Sequence, residues 1–95
     1  MSLSSQLLTI YSASATALMP DLTLWPAYAH GVSISIENVD SSANVYIGNS
    51  NTSSSSYGFR LTPGQAFSID LDTSSPMYAV SSTASSQVAI MRLYT

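Results

Sequence analysis

The segment 32–71 alternates apolar and polar side chains with great regularity, and it constrains the fold more than any other feature of the chain. At its start, Val32, Ile34 and Ile36 are separated by small or polar residues, so the apolar side chains share one face of an extended chain. A period of two residues is typical of β-strands with one buried face. Clusters of Gly, Pro, Asn and Ser separate the apolar runs, and these residues favour turns. The pattern therefore predicts an all-β fold.

The turn residues divide the chain into short strands. We expect strands near residues 6–11, 32–38, 44–48, 57–61, 65–71, 77–81 and 87–94. About six to seven strands at this spacing predict a small antiparallel β-sandwich or barrel. A turn at 40–42 precedes Val45 and Ile47, which we expect to pair with the 32–38 strand.

The last strand is apolar on both of its faces. Val88 and Ile90 alternate with Ala89, Met91 and Leu93, so neither face is polar. Strands that are buried on both sides carry such continuous apolar runs. We therefore expect this strand to be central in its sheet or covered on both sides.

The chain has the length of one small domain, but its two parts differ in character. Residues 1–30 are expected to form an extended apolar N-terminal segment or arm with a possible first strand, and residues 31–95 the β-sandwich domain. Pro20 and Pro26 each remove a backbone donor, so we expect no long regular element after Leu18. The segment could cover its own sandwich or reach a neighbouring subunit, and the residues leave both possibilities open.

Charge is very sparse in this chain. Two arginines and no lysine oppose five acidic residues, which gives a formal net charge of −3. A nucleic-acid binder needs basic side chains to replace the counterions on phosphate, so no nucleic-acid partner is expected. An anionic membrane surface is disfavoured for the same reason. Ser and Thr, about three residues in ten, hydrate the surface without charging it, which suits a subunit of an assembly or simply a neutral surface.

The chain lacks the residue patterns that carry catalysis or hold cofactors. Cysteine is absent, which excludes disulfides and thiolate metal sites and favours a bacterial or viral source. The P-loop, the dinucleotide-binding glycines and the nucleophile elbow are absent too. Any serine hydrolase would need the single histidine, His30, as its base. We expect no enzymatic activity and no cofactor.

One acidic pair admits a metal-binding alternative. Asp70 and Asp72 lie two residues apart on a predicted strand, so their carboxylates project from one face. Together with Glu37 or Asp40 they could hold Ca²⁺, which prefers several oxygen ligands. A solvated acidic face that discourages edge pairing is the simpler interpretation, and we expect no metal site.

From Val32 to its end, about two-thirds of the chain, the sequence resembles small phage virion-associated β-sandwich proteins of the capsid decoration or cement type. Their pattern is an alternating strand ending in Asn, then Val-Tyr-Ile-Gly, a Ser/Thr-rich loop, a Gly-Phe-x-Leu-x-Pro-Gly turn, and two later apolar strands. The matching stretches here are 34–38 (Ile-Ser-Ile-Glu-Asn), 45–48 (Val-Tyr-Ile-Gly), 58–64 (Gly-Phe-Arg-Leu-Thr-Pro-Gly), 77–80 (Met-Tyr-Ala-Val) and 88–90 (Val-Ala-Ile).

The resemblance implies a non-enzymatic viral structural protein on the capsid surface of a virion. Such a protein binds and stabilises the assembled head, so its partner would be the major capsid protein or another virion protein. Decoration proteins of this size commonly form trimers, which makes a homotrimer the favoured oligomer. The candidate partner-contact residues are Leu22, Leu24, Trp25, Tyr28, Tyr57, Phe59 and Arg60. Arg92, the other cation, is interpreted as structural.

A receptor- or glycan-binding fibre or adhesin module is the alternative from a different class. Six tyrosines and one tryptophan could stack on sugars, and the loop 49–56 could supply hydrogen bonds. A glycan binder should show a compact aromatic patch beside polar groups at a loop end. A cement protein should instead show an extended apolar arm and a large flat contact surface.

Overall fold

The computed structural model describes residues 2–18, 31–72 and 77–94, and these residues form eight β-strands. The strands are β1 (Ser2–Tyr11), β2 (Thr16–Ala17), β3 (Gly31–Asn38), β4 (Val45–Gly48), β5 (Phe59–Leu61), β6 (Ala66–Asp72), β7 (Tyr78–Ser81) and β8 (Ser85–Tyr94). The prediction of an all-β fold is confirmed for this part of the chain. The strand count is eight, where six to seven were expected.

The eight strands form two antiparallel four-stranded sheets. Sheet A has the order β1-β8-β3-β6 and sheet B the order β2-β7-β4-β5. The chain passes from one sheet to the other at every connection except the β4–β5 hairpin. Eight strands wound between two sheets in this order have the topology of a jelly roll. Residues 2–18 thus supply one strand to each sheet.

The predicted pairing of Val45 and Ile47 with the 32–38 strand is wrong. Both residues lie on β4 in sheet B, whereas β3 pairs with β6 and β8 in sheet A. The alternation of apolar and polar residues shows which side chains of a strand face the core. It does not show which strands are neighbours, because two strands have the same pattern whether they pair in one sheet or face each other across the core. Val45 and Ile47 therefore contact the apolar face of β3 by packing, and not by backbone pairing.

The core lies between the two sheets. Sheet A contributes Ile34, Ile36 and Ile90, and sheet B contributes Val45 and Leu61, all of them almost completely buried. Fully burying one such side chain stabilises a fold by about 1.5–3 kcal/mol. The alternation predicted for β3 and β4 is confirmed by this burial.

The buried side chain of Asn38 joins the two sheets at the end of β3. Its amide nitrogen donates to the carbonyl oxygens of Ala43 (2.8 Å) and Leu61 (3.1 Å), and its amide oxygen accepts from the backbone N–H of Asp40 (3.1 Å). The Asn38 backbone carbonyl also accepts from the N–H of Gly64 at 2.8 Å. Since a buried polar group is costly unless it is paired, this network requires an amide at position 38.

Arg92 supplies a second polar connection between the sheets. It shares the inner face of β8 with Val88 and Ile90, as predicted, and it is 5% exposed. Its Nε donates to the carbonyl oxygen of Leu18 at 2.9 Å, and its Nη1 donates to the side chain of Gln6 at 2.6 Å. Leu18 directly follows β2, so Arg92 ties sheet A to the start of sheet B. The interpretation of Arg92 as structural agrees with these contacts.

Asp40 closes the connection that carries the chain from β3 to β4. Its carboxylate accepts from the backbone N–H groups of Ser42 and Ala43, both at 2.9 Å. These hydrogen bonds favour the ionised carboxylate and hold the pKa of Asp40 below its ordinary value of 3.8. The bond from the Ser42 N–H has the larger effect of the two. The turn predicted at 40–42 is therefore an Asx-type turn that bends the chain towards sheet B.

Replacing Asn38 by Asp should destabilise the protein. The substitution removes both N–H donors and points a carboxylate at two buried carbonyl oxygens, so we expect a loss of about 2–4 kcal/mol at neutral pH, from the unpaired groups and the buried charge. Urea unfolding would measure the loss, with Asn51→Asp in the exposed loop as the matched control. A cost of Asn38→Asp no larger than that of the control would contradict the role given to Asn38.

The turn at Asp40 should make stability depend on pH in the acid range. Because the folded-state pKa lies below 3.8, the stabilisation is present above that value and is lost as the pH falls through the folded pKa. Thermal melting of the wild type and of Asp40→Asn between pH 2 and pH 6 would test this. The variant should lose part of the acid-induced decrease, and identical pH profiles for the two proteins would rule the effect out.

Candidate interaction surface

The outer face of sheet A carries an exposed apolar patch on strands β1 and β8. Antiparallel register places Leu3 beside Leu93, Leu7 beside Ala89, and Met91 between them on the same face. Leu3, Leu7 and Met91 are 61%, 63% and 48% exposed. Monomeric soluble proteins seldom expose large apolar side chains side by side without a function. We call these residues the apolar half of the face: Leu3, Leu7, Ala89, Met91 and Leu93.

The remaining part of the same face, on β3 and β6, is polar. The Ser33 hydroxyl donates to the Asp70 carboxylate at 2.7 Å, and the hydroxyls of Ser35 and Ser68 lie 3.0 Å apart. Glu37 is exposed at the next outward position of β3. We call these residues the hydroxyl half of the face: Ser33, Ser35, Glu37, Ser68 and Asp70. Sheet A therefore presents an apolar surface with a polar margin on one side only.

Within residues 2–18, 31–72 and 77–94, no strand pairs with the outer edge of β1, which borders the apolar half. β1 is a ten-residue strand that pairs with β8 along its whole length and is the last strand on that side of sheet A. Its sequence contains no charged residue, Pro or Gly. Natural sheets commonly protect an edge with charges, prolines, bulges or short strands. By comparison, β2 and β5 at the edges of sheet B have only two and three residues.

A second apolar opening lies between β5 and β6, where the two sheets separate. Phe67 and Leu71 point towards the core but are only half-buried, and Ile69 is 36% exposed. The rings of Phe59 and Phe67 contact each other across the opening with centroids 4.5 Å apart. The cleft has a volume of about 450 Å³ and its lining includes Ile47, Phe59, Phe67, Ile69, Leu71 and Met77.

The loop between β4 and β5 forms a polar recess beside an exposed tyrosine. Tyr57 is 43% exposed and packs on Tyr46 with ring centroids 4.7 Å apart. A cavity of about 300 Å³ next to Tyr57 is lined by Asn49, Thr52 and Ser56 among others. The loop returns very close to the end of β4, and only a glycine at position 48 permits this, because a Cβ there would lie 2.5 Å from the Thr52 hydroxyl.

The structure brings part of the predicted contact set together. Phe59 and Arg60 are exposed neighbours on β5, next to Tyr57. Phe59 faces the cleft, whereas Arg60 lies opposite Tyr46 on the outer face of sheet B. The other predicted contact residues, together with His30, lie outside the described residues: Leu22, Leu24, Trp25 and Tyr28.

The apolar half of the face was not among the predicted contact residues, although its signal was in the sequence. The sequence predicted a second apolar face on the last strand, with Ala89, Met91 and Leu93, and that strand was expected to be central in its sheet or covered on both sides. Leu3 was missed because the first strand was placed at 6–11, whereas β1 begins at Ser2. β8 is central, as predicted, and among the described residues nothing covers its outer face.

The alternative sites and the comparisons with known proteins add little. In the described ranges, no group of three or more His, Asp or Glu side chains could hold a metal ion. Nor does this part of the chain contain a helix long and apolar enough to cross a membrane. No known family model matches the chain, and no curated protein matches it significantly.

Oxidation by hydrogen peroxide should reveal that the apolar half is open in the free protein. Met91 is 48% exposed and Met77 only 6%, so Met91 sulfoxide should form several-fold faster. Mass spectrometry of peptides from samples taken over time would measure the oxidation rates of Met91 and Met77. The unfolded protein is the control, because both methionines should react at the same rate in it. Equal rates in the folded protein would mean that the outer face of β8 is covered.

Proposed function

We propose that the protein is a non-enzymatic structural protein of a virion, of the capsid decoration or cement type. In this proposal it binds the assembled head through the apolar half of sheet A, with the major capsid protein or another virion protein as its partner, and is located on the capsid surface. The observation that carries the proposal is the uncharged, largely apolar outer surface of β1 and β8.

The chemistry of this surface suits a protein partner. Leu3, Leu7 and Met91 project from neighbouring strands on one face of the sheet, so a single partner surface could bury them together. At about 25 cal/mol per Å² of apolar area removed from water, such a contact gains most of its free energy from burial. The apolar half contains no charged residue, so its binding should depend weakly on salt.

The role of a cement protein follows from binding the assembled state. A protein that binds the assembled shell, and not its separate subunits, stabilises the shell by mass action. The hydroxyl half, with its Ser35–Ser68 contact, would remain hydrated at the margin of such a contact. Jelly rolls occur in viral capsid and lectin domains. This likeness of topology agrees with the proposal, but a fold alone is not evidence of function.

A receptor- or glycan-binding module is the second candidate, and the loop between β4 and β5 favours it. Tyr57 offers an exposed ring beside a recess lined by Asn49, Thr52 and Ser56. An aromatic ring next to polar groups at a loop end is the arrangement expected of a sugar-binding site. Part of the loop's polarity serves the loop itself, however, since the Thr52 hydroxyl donates to the carbonyl of Asn49 at 2.6 Å.

The test uses virions of the phage whose genome carries this gene, with heads grown without the protein. Wild-type protein should bind these heads and raise the temperature at which they release DNA. Replacing Leu7 and Met91 by Ser should weaken binding at least about ten-fold, since two exposed apolar contacts are lost. Tyr57→Ala is the matched control, because it removes an exposed apolar side chain elsewhere.

The outcomes separate the two candidates. Absence of the protein from purified virions would overturn a virion role of either kind. Normal head binding by the Leu7 and Met91 double variant would overturn the proposed contact surface. Retained binding to host cells by that variant, with loss in Tyr57→Ala, would favour the receptor-binding candidate.

A further inference from the structure

We infer that two copies of this chain pair through the free edges of their β1 strands, about a two-fold axis perpendicular to sheet A. The product would be one eight-stranded sheet with the order β6-β3-β8-β1-β1-β8-β3-β6. The inference goes beyond the proposed function and does not rest on it.

The outer edge of β1 is suited to pairing with another strand. β1 offers the backbone groups of a ten-residue strand that contains no charge, Pro or Gly. Such an edge is a template for another strand. The other sheet edges in the described part of the chain match β1 less well: β2 and β5 have only two and three residues, and β6 carries the charged, exposed Asp70. A second β1 is therefore the partner of equal length and neutral charge that the chain itself provides.

Two copies of β1 can pair symmetrically. Antiparallel pairing of identical strands about a two-fold axis is self-complementary and closes on itself, so it ends at a dimer. Directly opposite residues of an antiparallel pair point to the same side of the sheet. Gln6 and Leu7, at the middle of β1, point to opposite sides of the sheet and cannot pair with each other, so the two longest registers place Leu7 opposite either Leu7 or Ser5 of the second copy and leave one of the ten β1 residues unpaired.

The pairing would join the outer faces of the two copies of sheet A into one surface. A two-fold axis perpendicular to the sheet keeps both outer faces on the same side, so the two apolar halves become neighbours at the centre. At ~4.8 Å between strands and ~3.4 Å per residue, four adjacent strands of ten residues cover roughly 650 Å². This outer face is not buried between the two copies; its area is close to the ~800 Å² that one partner contributes to a standard protein interface, so the pair would offer a third molecule a surface of that size. The hydroxyl halves would form a polar margin on both sides, which is the usual anatomy of an interface.

The mass in solution tests the inference. Light scattering should give a wild-type mass of twice the 10.0 kDa chain. Leu7→Lys and Leu7→Glu should each give the monomer mass, since each variant places like charges beside the axis. A mixture of the two variants should restore the dimer, as a heterodimer. Leu7 is 63% exposed, so neither substitution disturbs the core.

Matched measurements make the result decisive. Ser68→Lys, on the hydroxyl half far from the axis, should remain a dimer. The trimer expected from the resemblance would give three times the chain mass and would overturn the two-fold pairing, as would a wild-type monomer. Monomeric Leu7 variants whose mixture stays monomeric would overturn it too. The experiment uses isolated protein, so its failure leaves binding to phage heads to be judged separately.

Discussion

The two sheets depend on buried polar side chains that connect them at separated points along β8. Asn38 pairs with Val88 near the start of that strand, and Arg92 lies near its end. Each makes hydrogen bonds to backbone carbonyls that no aliphatic residue could replace, so each specifies a position as well as contributing stability. Apolar packing alone would hold two sheets together in several offsets. The hydrogen bonds to Leu61 and Leu18 select one.

Arg92 also explains how a strand as short as β2 keeps its place. β2 has two residues and little backbone pairing of its own. The carbonyl of Leu18, directly after it, accepts from the buried guanidinium, and the Leu18 side chain is fully buried. Losing this connection would leave a buried charge without one of its acceptors, which is costly. One of the two basic side chains of the protein, Arg92, therefore holds β2 in position at the edge of sheet B.

The sequence predicted features that depend on local periodicity and failed on features that depend on pairing. The core-facing side of β3 follows from alternation and was predicted correctly. β8 was correctly expected to be central, but its two apolar faces did not show which one meets the core. The neighbours of Val45 and Ile47 were not, because alternation is identical for strands in one sheet and in opposite sheets. β2 was missed because two residues cannot show a period. Tyr57, Phe59 and Arg60 were chosen as contact residues from residue type and are exposed, but their role as contacts stays a prediction, whereas the exposure of Leu3 required knowing that β1 starts at Ser2.

The uneven surface of sheet A follows from where the topology puts the terminal strands. The jelly-roll order makes β1 and β8 neighbours, and both carry apolar residues on their outward side. The inward apolar residues of these strands, such as Val88 and Ile90, form part of the core. The outward ones, the apolar half, are exposed and can contact other molecules. Charges are absent from these strands' outer face and hydroxyls occupy the adjoining strands. Like charges at close range would repel, and the exposed carboxylates of this face, Glu37 and Asp70, lie on β3 and β6, away from the outer edge of β1. The proposed pairing of two copies would use both features, because an uncharged β1 edge and an uncharged apolar face can approach their own copies without charge repulsion.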